Sequence, residues 1–219
     1  MPKIREKGGD GRRIKCFGLT GGIASGKSLV AEYLREAGVV VLNLDEIGRE
    51  VTDMNQALQK EIEKICGVPI IDEKGVLDRG RIREVIFKQP KKRREIERLL
   101  HPAILANFEQ ECEALKQSGH TFIVCEAALL IESGYHKNLD GLIVVTSSSV
   151  ARKKRLVARD SISAELADKM IASQVSDQER LRLATVVIEN QGQKMNLRAK
   201  VRALVQSWQK ELGSSPHWH

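Results

Sequence analysis

The segment from Gly21 to Ser28, GGIASGKS, carries the residues of this chain best suited to bind phosphate. It matches the pattern G-x-x-x-x-G-K-[ST] in full. Gly21 and Gly26 allow backbone torsions that other residues avoid, so successive N–H groups can turn toward phosphate oxygens. Lys27 supplies a cation for the β and γ phosphates, and Ser28 supplies a hydroxyl for Mg²⁺. The pattern therefore predicts a site for a nucleoside triphosphate.

The segments on either side of this loop have the order that such a site needs. Residues 14–20 form a short apolar run rich in β-formers, and an amphipathic stretch from Ser28 to Ala37 follows the loop. Residues 39–42 are a second apolar run, which completes a strand–helix–strand unit. Such units form parallel sheets, so we expect an α/β fold. The helix would add the positive end of its dipole to the phosphate site.

The rest of the chain divides into a charged helical region and further strands. We predict helices over most of residues 46–118, with breaks at 67–69, 72–75 and Pro90. Further strands are predicted over 121–125, 142–146 and 186–188, and further helices over 150–159, from about 163, and over 194–212. Pro102 has no N–H for a helical hydrogen bond, so we expect a kink or a new helix there.

Composition limits the classes of protein that fit. The 219 residues suffice for one domain with its own core, and no apolar run approaches the roughly 20 residues of a membrane span. The first 13 residues have no apolar segment typical of a secretory signal. Four cysteines without a C-x-x-C pair indicate reduced, mostly buried thiols, not a zinc site. We expect a cytoplasmic protein.

The net charge of +7 indicates an acidic partner. Nucleic acid, an anionic membrane and a small polyphosphate all fit that charge. Aromatic residues make up 4% of the chain, which weighs against binding single strands by stacking.

The phosphate loop by itself is compatible with a small-molecule kinase, a regulatory GTPase or a motor ATPase. The guanine-reading pattern N-K-x-D is absent from the sequence, and large ATPases need a longer chain. The apolar run 122–125 ends in Glu126, where ATPases often carry an aspartate. These observations favour the kinase.

Asp45 follows the second predicted strand and is the candidate for the acceptor side of such a reaction. Ligands gather at the carboxyl ends of parallel strands. A carboxylate there could take or orient the proton of an acceptor hydroxyl as the γ-phosphoryl group leaves. The alternative is a helix N-cap, because the sequence predicts a helix after Asp45. Arg49, one turn later, fits either a phosphate clamp or a solvated charge.

Two further groups have a functional and a structural interpretation. Arg155 and Arg159 are spaced i, i+4 in a basic helical segment, so they share a face. They fit either a lid whose arginines reach the nucleotide or a solvated charged face. His101 either faces a ligand or caps the break before Pro102.

Eight segments, taken in chain order, resemble the dephospho-CoA kinase family. They are IKCFGLTGGIASGKS, NLDEIGREV, LDRGRIREVIF, LLHPAI, LLIESG, RLVARD, IASQ and VVIENQG, and the resemblance extends from about Lys15 to Leu212. It implies a three-layer P-loop NTPase fold with a parallel central sheet, similar to adenylate kinase, with a helical substrate region and a lid. Several positions depart from the family pattern. Asn43 stands where the family has the first aspartate of a D-A-D segment, Thr185 stands where it often has an aspartate, and Met170 replaces the arginine of an R-I-x-x-Q segment in the lid.

The resemblance also implies a reaction and roles for residues. Members transfer the γ-phosphoryl group of ATP, with Mg²⁺, to the ribose 3′-hydroxyl of dephospho-CoA, the last step of coenzyme A synthesis. Asp45 matches the candidate base, Arg49 and His101 match substrate contacts, and Arg155 and Arg159 match lid arginines that join Lys27 in catalysis. The nucleotide-binding residues implied are Gly21, Gly22, Ile23, Ala24, Ser25, Gly26, Lys27, Ser28, Leu29 and Asn190, with Ser28 also on the metal.

These arguments predict the following organisation. Residues 1–13 form a flexible basic tail, 14–212 a single domain with an insertion at about 46–118 and a lid at about 150–180, and 213–219 a frayed end. We expect a small-molecule substrate and no nucleic-acid or membrane partner. The oligomeric state and the choice between ATP and GTP stay open. Another nucleoside or nucleotide kinase, or a nucleic-acid-binding P-loop protein, is the alternative.

Overall fold

A parallel sheet carries the phosphate loop in the computed structural model, which describes residues 14–72 and 75–212. Within these residues the sheet has five strands in the order β2-β3-β1-β4-β5. The strands are β1 (Lys15–Gly21), β2 (Val41–Asn43), β3 (Phe122–Glu126), β4 (Gly141–Thr146) and β5 (Val186–Glu189). Each predicted strand is confirmed to within two residues at either end. The predicted tails, 1–13 and 213–219, lie outside the described residues.

The position of β1 explains where the loop lies. β1 pairs in parallel with β3 on one side and with β4 on the other, so its carboxyl end lies where the strand order changes direction. Such a switch point is where open α/β sheets bind ligands. Phe17 and Leu19 of β1 are fully buried, as expected for a parallel sheet covered on both faces.

The helices follow the predicted pattern with differences at three places. They are α1 (Lys27–Glu36), α2 (Leu44–Met54), α3 (Gln56–Cys66), α4 (Arg79–Lys88), α5 (Pro90–Gln117), α6 (Ser149–Asp160), α7 (Ala164–Ala172), α8 (Asp177–Leu183) and α9 (Lys194–Leu212). The break at Asn55 and the separate helix α8 were not predicted. No new helix begins at Pro102, because α5 continues through it. None of the described helices is long and apolar enough to cross a membrane.

The main core lies between the sheet and the helices α1 and α9. α1 buries Val30 and Leu34, and α9 buries Leu197 and Val201, against apolar side chains of the strands. Trp208 of α9 stacks on Phe17 with ring centroids 5.5 Å apart and meets the edge of Phe122 at 4.9 Å. Such aromatic pairs contribute about 0.5–1.5 kcal/mol beyond the area that they bury.

The chain forms two compact units, one built from the residues up to Asn43 and from Ala114 onward, and one from Leu44–Glu113. The second unit contains α2 to α5 and has its own apolar cluster around Ile62, Ile70 and Ile96. Its range is close to that of the helical region predicted from the sequence.

The cysteines are free thiols. Cys16, Cys66 and Cys125 are buried and Cys112 is partly exposed. This agrees with the interpretation of mostly buried, reduced side chains.

Candidate active site

The phosphate loop connects the end of β1 with the start of α1, as the sequence predicts. Gly26 precedes α1 in the left-handed region, at φ 101°. A Cβ at this position would collide with the Nδ2 of Asn190, so glycine is required for both reasons. That Nδ2 donates to the backbone oxygen of Ser25 at 2.8 Å, and Asn190 is 6% exposed. Asn190, the residue that follows β5, therefore holds the loop next to the end of that strand.

Lys27 of the loop is held by a buried acid. Its Nζ lies 2.7 Å from Oε1 of Glu126, the last residue of β3. Glu126 is 3% exposed, and Arg35 approaches its other carboxylate oxygen at 3.9 Å. A pair of this kind is short and charge-assisted, so it fixes the ammonium in one place. The strand-end acid noted in the sequence thus positions the lysine of the loop.

Ser28 lies in the first turn of α1 and is exposed. Mg²⁺ commonly takes one or two protein oxygens and completes its shell with phosphate oxygens and water. Among residues 14–72 and 75–212, no group of three or more His, Cys, Asp or Glu side chains is placed to hold a metal ion. A single exposed hydroxyl beside a phosphate loop fits a Mg²⁺ ion that binds together with the nucleotide.

Arg155 lies against the loop. Its Nη1 donates to the backbone oxygen of Ala24 at 3.1 Å and to Oγ of Ser147 at 3.1 Å, with a longer contact to the oxygen of Ser25 at 3.4 Å. In this structure the guanidinium supports the backbone that would surround the phosphates. The structure thus brings one of the two predicted lid arginines to the loop.

Arg159 is placed differently. Its guanidinium makes two hydrogen bonds, of 2.7 and 2.9 Å, to the carboxylate of the neighbouring Asp160. These bonds raise the pKa of Arg159 and lower the pKa of Asp160. The side chain of Leu29, also predicted at the nucleotide, packs against the apolar core beside α1.

Two arginines that the sequence analysis did not single out also lie beside the loop. Arg152 is 5% exposed and Arg180 is 2% exposed, and a Cβ on Gly22 would collide with Nη1 of Arg152. Both arginines pair with Asp177, at 2.7 and 3.0 Å. A signal for Arg152 exists in the sequence, because Leu156 stands four residues later on the same helical face, which predicts that this face is buried.

Gln174 was also missed. Its Oε1 accepts a hydrogen bond from the backbone N–H of Ile23, the third residue of the loop, at 2.7 Å. The residue lies between α7 and α8, at the end of the segment IASQ, which belongs to the resemblance but was not assigned a role.

The remaining candidates belong to the second unit. Asp45 is exposed in the first turn of α2, where a carboxylate interacts favourably with the helix dipole. Because α2 begins at Leu44, Asp45 lies within the helix and not at its N-cap. Arg49 is exposed one turn later, and its backbone oxygen accepts from Arg79 at 3.3 Å. His101 is exposed on α5, directly before Pro102.

Comparison with known proteins gives one consistent result. The family model described as dephospho-CoA kinase matches residues 15–196. A dephospho-CoA kinase of Fusobacterium nucleatum is 38% identical over 188 residues, which cover 86% of this chain and 95% of that protein. A dephospho-CoA kinase of Moorella thermoacetica is 36% identical over 201 residues, which cover 91% and 95% of the two chains.

Two solved structures share the fold over almost their whole length. TT1252 from Thermus thermophilus has a TM-score of 0.76 and 27% identity, with 89% of this chain and 98% of that chain covered. A dephospho-CoA kinase from Campylobacter jejuni has a TM-score of 0.70 and 26% identity, with 90% and 98% covered. The P-loop α/β fold expected from the sequence is therefore confirmed.

Proposed function

This chain belongs to the dephospho-CoA kinase family, and from that premise we propose that it transfers the γ-phosphoryl group of ATP to the ribose 3′-hydroxyl of dephospho-CoA. The products are ADP and coenzyme A, so the reaction completes coenzyme A synthesis. The observation in the molecule that carries this function is Lys27, held by Glu126 in a complete phosphate loop.

The loop and Lys27 bind the phosphates in this proposal. The N–H groups of the loop after Ile23 donate to the phosphate oxygens, and α1 adds the positive end of its dipole. The ammonium of Lys27 neutralises charge on the β and γ phosphates as the γ-phosphoryl group moves. Mg²⁺, when bound with ATP, supplies further neutralisation of the phosphate charge, and the hydroxyl of Ser28 is the group that would hold it.

Asp45 serves as the base. The 3′-oxygen of the acceptor forms a bond to the γ-phosphorus, the bond from that phosphorus to the β,γ-bridging oxygen breaks, and ADP leaves. The hydroxyl proton passes to the carboxylate of Asp45, which is exposed in the first turn of α2. Arg49 and His101 contact dephospho-CoA in this account. Arg155 and Arg159 reach the nucleotide from α6.

We also propose that the protein works in the cytoplasm on small molecules, without a nucleic-acid or membrane partner. The free thiols of its cysteines suit a reducing compartment.

A panel of acceptors tests the proposed function. Purified protein with ATP and Mg²⁺ is offered dephospho-CoA, nucleosides and nucleoside monophosphates in parallel, and ADP release is followed by a coupled assay. We expect strong release with dephospho-CoA alone, and a repeat with GTP determines the donor preference. A nucleoside or nucleotide that outperforms dephospho-CoA would replace the proposed acceptor.

A further inference from the structure

The connection between α7 and α8 places one side chain directly on the phosphate loop. Oε1 of Gln174 accepts the backbone N–H of Ile23 at 2.7 Å, across 151 residues of sequence. This distance lies at the short end of the range for an N–H···O hydrogen bond. N–H groups of such a loop are the groups that face phosphate, so the carboxamide lies at the rim of the phosphate site.

A carboxamide held by its oxygen presents its nitrogen to whatever binds next. Nε2 carries two N–H donors and no acceptor. Across the described parts of the chain it takes part in no hydrogen bond. The terminal phosphate of a nucleotide offers only acceptors, so the two groups are complementary.

We propose that Nε2 of Gln174 donates a hydrogen bond to the γ-phosphate of ATP. Gln174 is then a further catalytic residue, and it makes the protein bind ATP more tightly than ADP. The identity of the nucleotide in this inference rests on the proposed function. The contact of Oε1 with Ile23 is kept in the complex, and the amide spans the loop and the terminal phosphate.

An ionic cluster built on two buried arginines holds this connection in place. Asp177, three residues after Gln174, pairs with Arg152 at 2.7 Å and with Arg180 at 3.0 Å. Arg180 also lies 3.6 Å from Glu132, whose Oε1 accepts from the backbone N–H of Val175 at 3.4 Å. The residue after Gln174 is thereby fixed as well, and the carboxamide has little freedom to leave the loop.

The charges of this cluster explain why the donor is an amide. Two arginines face two carboxylates, so the cluster positions the connection without adding net positive charge beside Gly22. Arg155 is bonded to loop carbonyls and Arg159 to Asp160. The amide of Gln174 is thus a donor at the loop that takes no part in these ion pairs.

Nucleotide affinities of three variants test the inference. Gln174→Met keeps the length of the side chain and removes the amide, and Gln174→Glu replaces it with a carboxylate. Gln178→Met, an exposed glutamine of α8, is the matched control. Dissociation constants of ATP and of ADP, each with Mg²⁺, are measured by calorimetry in the absence of any acceptor.

We expect Gln174→Met to raise the dissociation constant of ATP roughly 10-fold or more, because a hydrogen bond to a charged group contributes about 1.5–3 kcal/mol. The dissociation constant of ADP should change by less than about 2-fold. Gln174→Glu should weaken the binding of ATP further, because the carboxylate repels the γ-phosphate. Gln178→Met should bind ATP and ADP as tightly as the parent protein does. Gln174→Asn, which keeps the amide on a shorter side chain, provides a second variant if the methionine variant fails to fold.

Two results would overturn the inference. If Gln174→Met weakened the binding of ATP and of ADP equally, the contact with Ile23 would have a structural role only. If it bound both nucleotides more tightly, Gln174 would block the loop and be displaced by the nucleotide. Because no acceptor is present, neither result depends on whether dephospho-CoA is the substrate, which the acceptor panel decides separately.

Discussion

Lys27 illustrates how a single side chain depends on a partner from a distant part of the sequence. A flexible lysine loses conformational entropy when it is fixed, and Glu126 provides the compensating bond at 2.7 Å. The carboxylate is itself stabilised by this ammonium and by Arg35 at 3.9 Å. The pair therefore delivers an oriented cation at the loop before any nucleotide is bound.

Replacement of Lys27 by alanine removes that cation. We predict that kcat/KM for ATP falls roughly 100- to 1,000-fold, the usual loss for one preorganised group that stabilises transition-state charge. Steady-state kinetics with saturating dephospho-CoA provides the measurement. Lys64→Ala is the control, because Lys64 is exposed and pairs with Glu61 on the same helix. An unchanged kcat/KM in Lys27→Ala would refute the role of the lysine.

Asp45 is tested by an isosteric change. Asp45→Asn keeps the shape of the side chain and removes the carboxylate that takes the proton. We predict a loss of about 100- to 10,000-fold in kcat with little change in the dissociation constant of ATP. Glu46→Gln, one residue later and also exposed, serves as control and should retain the kcat of the parent protein. Full turnover of the asparagine variant would remove Asp45 from the mechanism.

The difference between the predicted and observed surroundings of the loop has a physical cause at this scale. The loop residues were predictable because a phosphate-binding backbone needs fixed types at fixed spacing. The segment IASQ resembles the family, but it does not indicate that Gln174 bonds to Ile23 across 151 residues of sequence. The burial of Arg180 was not predictable either, because a single arginine in a short helix is usually solvated. Arg159 shows the converse, since helical spacing predicts a shared face but not the competition of Asp160.

At the scale of elements, the strands could be predicted closely because buried parallel strands are short, apolar and rich in β-formers. Helix boundaries in the charged second unit were harder. Asn55 accepts a hydrogen bond from the backbone N–H of Leu58 and so starts α3, which one polar residue within a helical pattern does not signal. α8 starts in the same way at Ser176, whose hydroxyl accepts from Glu179.

Pro102 is a position at which α5 loses stability, and this loss can be measured. It lies inside α5, where it removes one backbone hydrogen bond. We predict that Pro102→Ala raises the free energy of unfolding by up to about 3 kcal/mol, measured by urea denaturation. Pro90→Ala is the control, because proline at the first position of a helix is favourable and its loss should bring no gain.

The same variant separates function from stability. His101 is the neighbour of Pro102, so a backbone that gains a hydrogen bond there shifts its ring, and we expect KM for dephospho-CoA to rise while KM for ATP is unchanged. A variant that is no more stable than the parent protein would contradict the assigned cost of the proline.

At the scale of the whole molecule, the positive charge is concentrated in one segment. Residues 79–94 carry eight basic side chains and one acidic side chain, an excess equal to the net charge of +7. This segment comprises α4 and the start of α5 in the second unit.

Nucleic-acid binding is the alternative that this charge leaves to be tested. We predict no binding of duplex or single-stranded DNA at roughly 150 mM salt, because contacts made through charge alone weaken steeply as salt rises. Fluorescence anisotropy at low and at physiological salt measures this. Binding that persists at the higher salt would show a nucleic-acid site and contradict the proposed partner class.

Identification of the reaction product tests the central claim most directly. Protein, ATP, Mg²⁺ and dephospho-CoA are incubated together, ADP is quantified, and the acceptor product is isolated for mass spectrometry and ³¹P NMR. The account predicts one added phosphoryl group per ADP formed, attached as a monoester at the ribose 3′-position. Formation of ADP with unmodified dephospho-CoA, or a phosphoryl group at another position, would contradict it.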